Sequence, residues 1–291
     1  MTSPNASVAL IGTGLLGEAI GLRLLQQGIR LHVWNRTPSR CRSLLDAGAH
    51  HIEHLSSVPQ TSDVIITVLR DGPTTARSIA ALGDLANHCL IPMGTMGIVE
   101  IRQLAEQTKQ QGGQLLESPV LGSRPQALAG TLLLMAGGDP SLFERHQPLL
   151  RHLSERPQLV GPVGSGAACK LGLNQLIASL THAFSLSLRL IQQADVPVET
   201  FMDILRPSAL YAPTFDKKLE RMLDGHYNNP NFSTALLRKD LLLFLEEATA
   251  AELNPEGLSG LANLLGKAEG SALDGLDYCA LHELTGSDSS H

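Results

Sequence analysis

Near its amino end the chain reads SVALIGTGLLGEAIGLRLLQQG, from Ser7 to Gly28. A short apolar run leads into three glycines spaced Gly-x-Gly-x-x-Gly, and a helical apolar pattern follows and stops at Gly28. That order reads as strand, tight turn, helix and C-cap. Each glycine answers a separate demand. Gly12 permits the turn, Gly14 lets backbone approach a pyrophosphate, and Gly17 lets helix and strand pack closely. The helix start also presents free N–H groups and the positive end of its dipole. In this context Gly12, Thr13, Gly14, Leu15, Leu16 and Gly17 predict a dinucleotide-binding turn, which commits the amino-terminal part to a parallel α/β fold.

The segments that follow keep to that plan. IRLHVWNR, DVIITVL (Asp63 to Leu69), CLIPMG, GQLLESPV, GTLLLMAGG and RPQLVG read as further strands, with helical stretches between most of them. Nearly continuous apolar runs such as DVIITVL suit parallel strands covered on both faces. Residues 1–163 are therefore expected to form a doubly wound, Rossmann-type α/β domain. Residues 164–291 show no convincing strand and are expected to form an all-α domain. A long helix over 167–191 would join the two. Its apolar residues, among them Leu171, Leu176, Phe184, Leu186 and Leu190, fall on every face, so it should be buried all round, in part by a partner subunit.

Bulk properties exclude several classes. Of 291 residues 43% are hydrophobic and 17% charged, as in a globular protein with a sizeable core. The net charge of −6 does not suit nucleic-acid binding. No apolar run approaches bilayer-spanning length, and MTSPNASVALIG does not look like a secretory leader. Cys41, Cys89, Cys169 and Cys279 are scattered, which points to reduced thiols and a cytoplasmic location. The terminal TGSDSSH is polar and expected to fray.

Several residues are candidates for chemistry. After the second strand an acid would bind a ribose 2′-hydroxyl, but Asn35, Arg36 and Thr37 stand there, a set suited to a 2′-phosphate. NADP(H) is thus the expected cofactor, and Leu69 and Arg70, after the DVIITVL run, are grouped with its ligands. In ESPVLGSRPQALAG, Leu121, Gly122 and Ser123 form a turn whose backbone N–H groups could take a carboxylate. GPVGSGAACKLGLNQ presents Lys170 and Asn174 on one helix face, four residues apart. Lys170 is either a snorkelling lysine or a proton donor. Lys239 and Asp240 lie mid-helix, where the bland expectation is a solvated face. HHIEH, His50 to His54, lacks the context of a metal site, and no metal is expected.

Taken in order, GxGxxG, Asn-Arg-Thr, SPVLGS with AGTL, GxGxxxKxxxN and LRKDL resemble the β-hydroxyacid dehydrogenase family, over nearly the whole chain. Within it the sequence is most similar to the NADPH-dependent glyoxylate and succinic semialdehyde reductases. The resemblance implies a Rossmann domain, a helical domain and homodimers or tetramers built on the long helix. It implies Lys170 as the catalytic lysine and Asn174 as the residue that orients substrate. Leu121-Gly122-Ser123 would be the carboxylate turn, Thr95 a contact to substrate and nicotinamide, and Lys239 a residue near the cofactor. Two departures stand out. Leu121 replaces the turn's usual first serine, and Gly94-Thr95-Met96-Gly97 replaces a Ser-Thr motif. Both make the pocket less polar. The expected activity is reduction of a short aldehyde or keto acid to the hydroxy acid. A 3-hydroxyisobutyrate-type dehydrogenase, a promiscuous imine reductase and an inactive NADP-binding scaffold are the alternatives.

Overall fold

The computed structural model describes residues 7–286. The polar end from 287 onward lies outside the described residues. The chain divides into two compact units, residues 1–170 and 171–291. The division falls inside one continuous helix, Ser165–Gln193.

In the first unit, β1 (Ser7–Ile11), α1 (Leu15–Gln26), β2 (Arg30–Trp34), α2 (Arg42–Asp46), β3 (His50–His51), β4 (Val64–Thr67), α3 (Gly72–Ala80), β5 (Cys89–Pro92), α4 (Ile98–Gln110) and β6 (Gln114–Leu115) alternate along the chain. The six strands form one sheet in the order β3-β2-β1-β4-β5-β6, and every pairing is parallel. Residues of β1 point alternately into two apolar layers. Val8 and Leu10 pack with Ile20, Leu24 and Leu31. Ala9 and Ile11 pack with Ile65, Ile79 and Leu90. A strand buried on both faces has no solvated side to fill with polar residues, so its sequence is an unbroken apolar run. The strand order reverses direction between β1 and β4, and open α/β sheets bind ligands outside the carboxyl ends of the strands at such a point.

GQLLESPV departs from the single strand expected of it. Its first part is β6, and its end is β7 (Val120–Leu121), which belongs to a second sheet. There β7 pairs antiparallel with β8 (Leu133–Gly137), and β9 (Gln158–Gly161) pairs parallel with β8. Pro119 has no N–H for a ladder, and the side chain of Glu117 is committed to the interior, where it holds the start of a helix. The chain therefore changes sheet at Glu117–Pro119. Helices α5 (Arg124–Ala129) and α6 (Pro140–Leu150) flank β8 in sequence.

The helix α7 (Ser165–Gln193) leads into the second unit, with α8 (Val198–Leu205), α9 (Pro213–Asp224), α10 (Thr234–Ala250), α11 (Glu256–Gly266) and α12 (Leu281–Leu284). Its core contains Phe184, Met202, Phe215, Leu237, Leu241 and Leu265. Phe184 and Phe215 stack with centroids 4.6 Å apart. The expectation that α7 is buried all round does not hold within one chain. Leu171, Phe184 and Leu188 are buried, whereas Leu176, Leu186 and Leu190 are 51%, 46% and 68% exposed. At 100° per residue these three fall within about 80° of one another, a single apolar stripe.

Candidate active site

The glycine turn is built as its spacing requires. A Cβ on Gly12, whose φ is +98°, would lie 2.4 Å from the Val68 carbonyl oxygen, and one on Gly17 would lie 2.0 Å from the Gly12 carbonyl oxygen. Gly14 faces open space. It is the N-cap of α1, and no side chain caps that helix. The N–H groups of Leu15, Leu16 and Gly17 thus head an uncapped 12-residue helix beside an open backbone approach. This cradle fits a pyrophosphate, because it offers donors, a helix dipole and no side chain in the way. Leu69 and Gly94 close the same end of the sheet: a Cβ on Gly12 would also meet Leu69 Cδ2 at 2.8 Å, and one on Gly94 would meet the Leu69 carbonyl at 2.4 Å. Thr95 follows Gly94 directly and is half-buried.

The three residues after β2 are not equivalent. Asn35 is tied into the protein at both ends of its amide: Oδ1 accepts from the Thr13 N–H at 3.2 Å, and Nδ2 donates to the Thr37 carbonyl at 3.0 Å. It links the glycine turn to the β2 loop. Arg36 and Thr37 are exposed beside it. Arg70 is exposed and pairs with Asp71 at 2.8 Å. Asp71 in turn caps α3, accepting from the Thr74 N–H. Burial alone would raise the Asp71 carboxyl, but these bonds outweigh it and bring it down to about 2.

In the turn after β7, Leu121 and Ser123 are half-buried and Gly122 is exposed. Gly122 has φ +139°, and a Cβ there would lie 2.7 Å from Leu132 Cδ2. Ser123 caps α5. Both its N–H and its hydroxyl donate to Gln126 Oε1, at 3.0 and 2.7 Å. A carboxamide oxygen therefore occupies two of the donors that the sequence offers to a carboxylate.

Lys170 and Asn174 occupy successive turns of α7. Lys170 is half-buried and lines a small cavity with Pro92, Gly94, Met96, Glu117 and Ala167. Glu117, which the sequence reading passes over, is 1% exposed. Its Oε1 accepts from the N–H groups of Gly164 and Gly166, and its Oε2 from Ala167. Burial pushes its carboxyl up, against the pull of those three donors and of Arg102. The signal in the sequence is faint, a single acid between QLL and SPV.

In the second unit Asn174 is 1% exposed. Its Nδ2 donates to Asp240 Oδ2 at 2.5 Å, and its Oδ1 is buried with no hydrogen-bond partner. Asp240 is also 1% exposed, and its Oδ1 forms an ion pair with Lys239 Nζ at 2.7 Å. The expected solvated face at Lys239–Asp240 is therefore wrong. Asp240 points inward because Asn174, 66 residues earlier, gives its carboxylate a donor.

Among the described residues no group of three or more histidine, cysteine or acidic side chains could hold a metal ion, and no helix is long and apolar enough to cross a membrane. His50 and His51 form the short β3, and His50 sits 5.2 Å from the ring of His32.

Comparison with known proteins agrees with this geometry. Residues 7–163 match the NAD-binding domain of 6-phosphogluconate dehydrogenase, and residues 164–285 match the NAD-binding family of NADP-dependent 3-hydroxyisobutyrate dehydrogenase. The chain is 32% identical over 282 residues to glyoxylate/succinic semialdehyde reductase 1 of Arabidopsis thaliana, covering 95% of this chain and 97% of that one. It is 30% identical over 280 residues to 2-hydroxy-3-oxopropionate reductase of Escherichia coli K12, covering 94% and 95%. The fold is shared with the solved structure of Mycobacterium tuberculosis 3-hydroxyisobutyrate dehydrogenase with L-serine, at a TM-score of 0.87 and 22% identity, covering 97% and 99%.

A strand-end glycine cradle of this kind, on a chain with these relatives, defines an NAD(P)-dependent oxidoreductase that acts on hydroxyl and carbonyl groups. The chain belongs to the β-hydroxyacid dehydrogenase family.

Proposed function

We propose that this enzyme reduces a short aldehyde or keto acid that carries a carboxylate, of the glyoxylate or succinic semialdehyde class, to the hydroxy acid, with NADPH as the reductant and Lys170 as the proton donor. The observation that carries the reading is the pair on α7. Lys170, at a small cavity beside Gly94 and Met96, is followed one turn later by a buried Asn174 whose carboxamide is held by Asp240.

The cofactor, when bound, supplies the hydride. The chain's own residues do the rest. The uncapped start of α1 and the open face of Gly14 hold the pyrophosphate, with Leu69 and Thr95 at the same end of the sheet. Arg36 and Thr37 take the 2′-phosphate, and Asn35 fixes the loop that carries them to the glycine turn. As negative charge grows on the substrate oxygen, the Lys170 ammonium stabilises it and gives up a proton. Asn174 has two amide hydrogens, and Asp240 engages one. The second is left to hold the substrate oxygen in line. Lys239, paired with Asp240, neutralises the charge behind that amide. The substrate carboxylate is taken by the turn at Gly122–Ser123, where it displaces the Gln126 carboxamide oxygen from the Ser123 donors. Leu121 offers it no hydroxyl, which favours a substrate whose middle is short or apolar.

The apolar stripe Leu176–Leu186–Leu190 supports assembly of two chains through helix 167–191, since leucines this exposed gain by being covered. The chemistry is tested by following NADPH oxidation over glyoxylate, succinic semialdehyde, methylmalonate semialdehyde and a cyclic imine. Turnover of either of the first two, with at least tenfold lower kcat/KM for the imine, is expected, a margin of about 1.4 kcal/mol in barrier. Turnover of the imine alone would contradict the proposal.

A further inference from the structure

We propose that Glu117 is the positioning residue of Lys170: its buried carboxylate fixes the first turn of α7, and so fixes where the lysine three residues beyond that turn is presented. This rests on the reading of Lys170 as proton donor.

The first N–H groups of any helix lack partners within the helix. A serine or aspartate at the N-cap usually supplies one, at the surface and at little cost. Here the start of α7 is held from outside the helix, by a carboxylate 47 to 50 residues earlier in sequence. Both oxygens are used, and the N–H groups of Gly164, Gly166 and Ala167 converge on them. The backbone of Glu117 is fixed as well. It exchanges two hydrogen bonds with Gly137 on β8, at 3.1 and 2.9 Å. The surroundings are hollowed out to admit the carboxylate. A Cβ on Gly137 would lie 2.1 Å from Glu117 Oε1, and one on Gly166 would lie 3.1 Å from its carboxyl carbon. A φ of +103° at Gly164 turns the chain so that its N–H faces the acid.

A buried carboxylate is costly even when satisfied, and a cap with less desolvation would hold a helix end as well. What a surface cap could not do is lock the helix start to the second sheet. Glu117 and Lys170 line the same small cavity, so the acid fixes the helix at the level where the ammonium must meet its target. Proton transfer needs donor and acceptor within hydrogen-bond reach, and a misplacement of about 1 Å costs on the order of a hundredfold in rate.

The test is a double-mutant comparison on the intact enzyme, with rates expressed per NADPH-binding site counted by fluorescence titration. Glu117→Gln keeps the shape but cannot accept at both ends. With Lys170 present it should lower kcat at least about tenfold while NADPH Kd changes less than about threefold. With Lys170→Ala already made, it should change the residual rate less than about twofold, because the group it positions is gone. An equal loss in both backgrounds would overturn the proposal, since Glu117 would then act on the fold or the cofactor. So would an unchanged kcat in the single variant. If Lys170→Ala alone leaves kcat intact, the proton-donor reading itself fails, and the comparison shows that separately. Should Glu117→Gln not fold, Gly137→Ala serves in the same two backgrounds. Its methyl displaces the carboxylate and not the backbone, and the same pattern of losses is expected.

Discussion

Asn35, Arg36 and Thr37 look alike in sequence as ligands for a phosphate, but Arg36 and Thr37 are exposed and only Arg36 of the two carries a charge. Asn35 spends its amide on Thr13 and Thr37. Arg36→Ala should therefore raise KM for NADPH far more than KM for NADH. The loss on NADPH should be on the order of 1.5–3 kcal/mol, as for other charge-assisted bonds. Steady-state kinetics with both cofactors checks this, and equal losses would remove the case for a 2′-phosphate site. A second residue sets a pH limit. His282 is 4% exposed and its Nδ1 lies 2.7 Å from the Ser185 hydroxyl. Burial first, then Arg189, push its pKa down to about 4, against a smaller pull from Glu283. The neutral ring is the form the fold accepts. Its contribution is complete above the ordinary histidine value near 6.5 and is lost as pH falls from there through about 4. The difference between those values is worth roughly 3 kcal/mol. Urea midpoints at pH 7.5 and 5 should fall further for the natural protein than for His282→Gln, and parallel falls would assign the acid sensitivity to another group.

At the scale of elements, β1, its glycine turn and α1 were legible almost to the residue. Gly12 and Gly17 answer close backbone approaches and Gly14 leaves an open one, and the spacing of the three carries the signal. The apolar runs of β4 and β5 were legible for a similar reason, since a strand covered on both faces leaves no polar positions. What failed depended on distant partners. GQLLESPV has the composition of one strand, yet the chain changes sheet within it because Glu117 must reach the start of α7, 47 residues on. Asp240 looks like half of a solvated charge pair until Asn174 is seen to meet it. Ser123 and Gln126 have capping-box spacing, and the Gln126 carboxamide takes the Ser123 N–H that a carboxylate would otherwise use. For Glu117 and Asp240 spacing gave the element and a long-range hydrogen bond gave the side chain its task. That Lys170 and Asn174 share one helix was legible because their spacing needs only the helical period.

For the whole molecule, the stripe on α7 predicts the state in solution. Leu176, Leu186 and Leu190 lie on one face of the helix, and the chain itself leaves them uncovered. Light scattering at micromolar concentration should give twice the 31.1 kDa chain mass or a multiple of it, and Leu190→Asp should shift it toward the single chain. A monomer for the natural protein would contradict that assembly. In the proposed reading the glycine turn and Arg36, far from α7 in sequence, hold the cofactor, so removing the lysine should leave cofactor binding intact. Lys170→Ala and Lys170→Arg, with kcat and NADPH Kd measured on both, test the central claim most directly. Alanine should lower kcat by roughly 10²–10⁴-fold with Kd nearly unchanged. Arginine should not restore it, because a guanidinium keeps its proton at neutral pH. Near-normal kcat in both variants would show a snorkelling lysine and contradict the account.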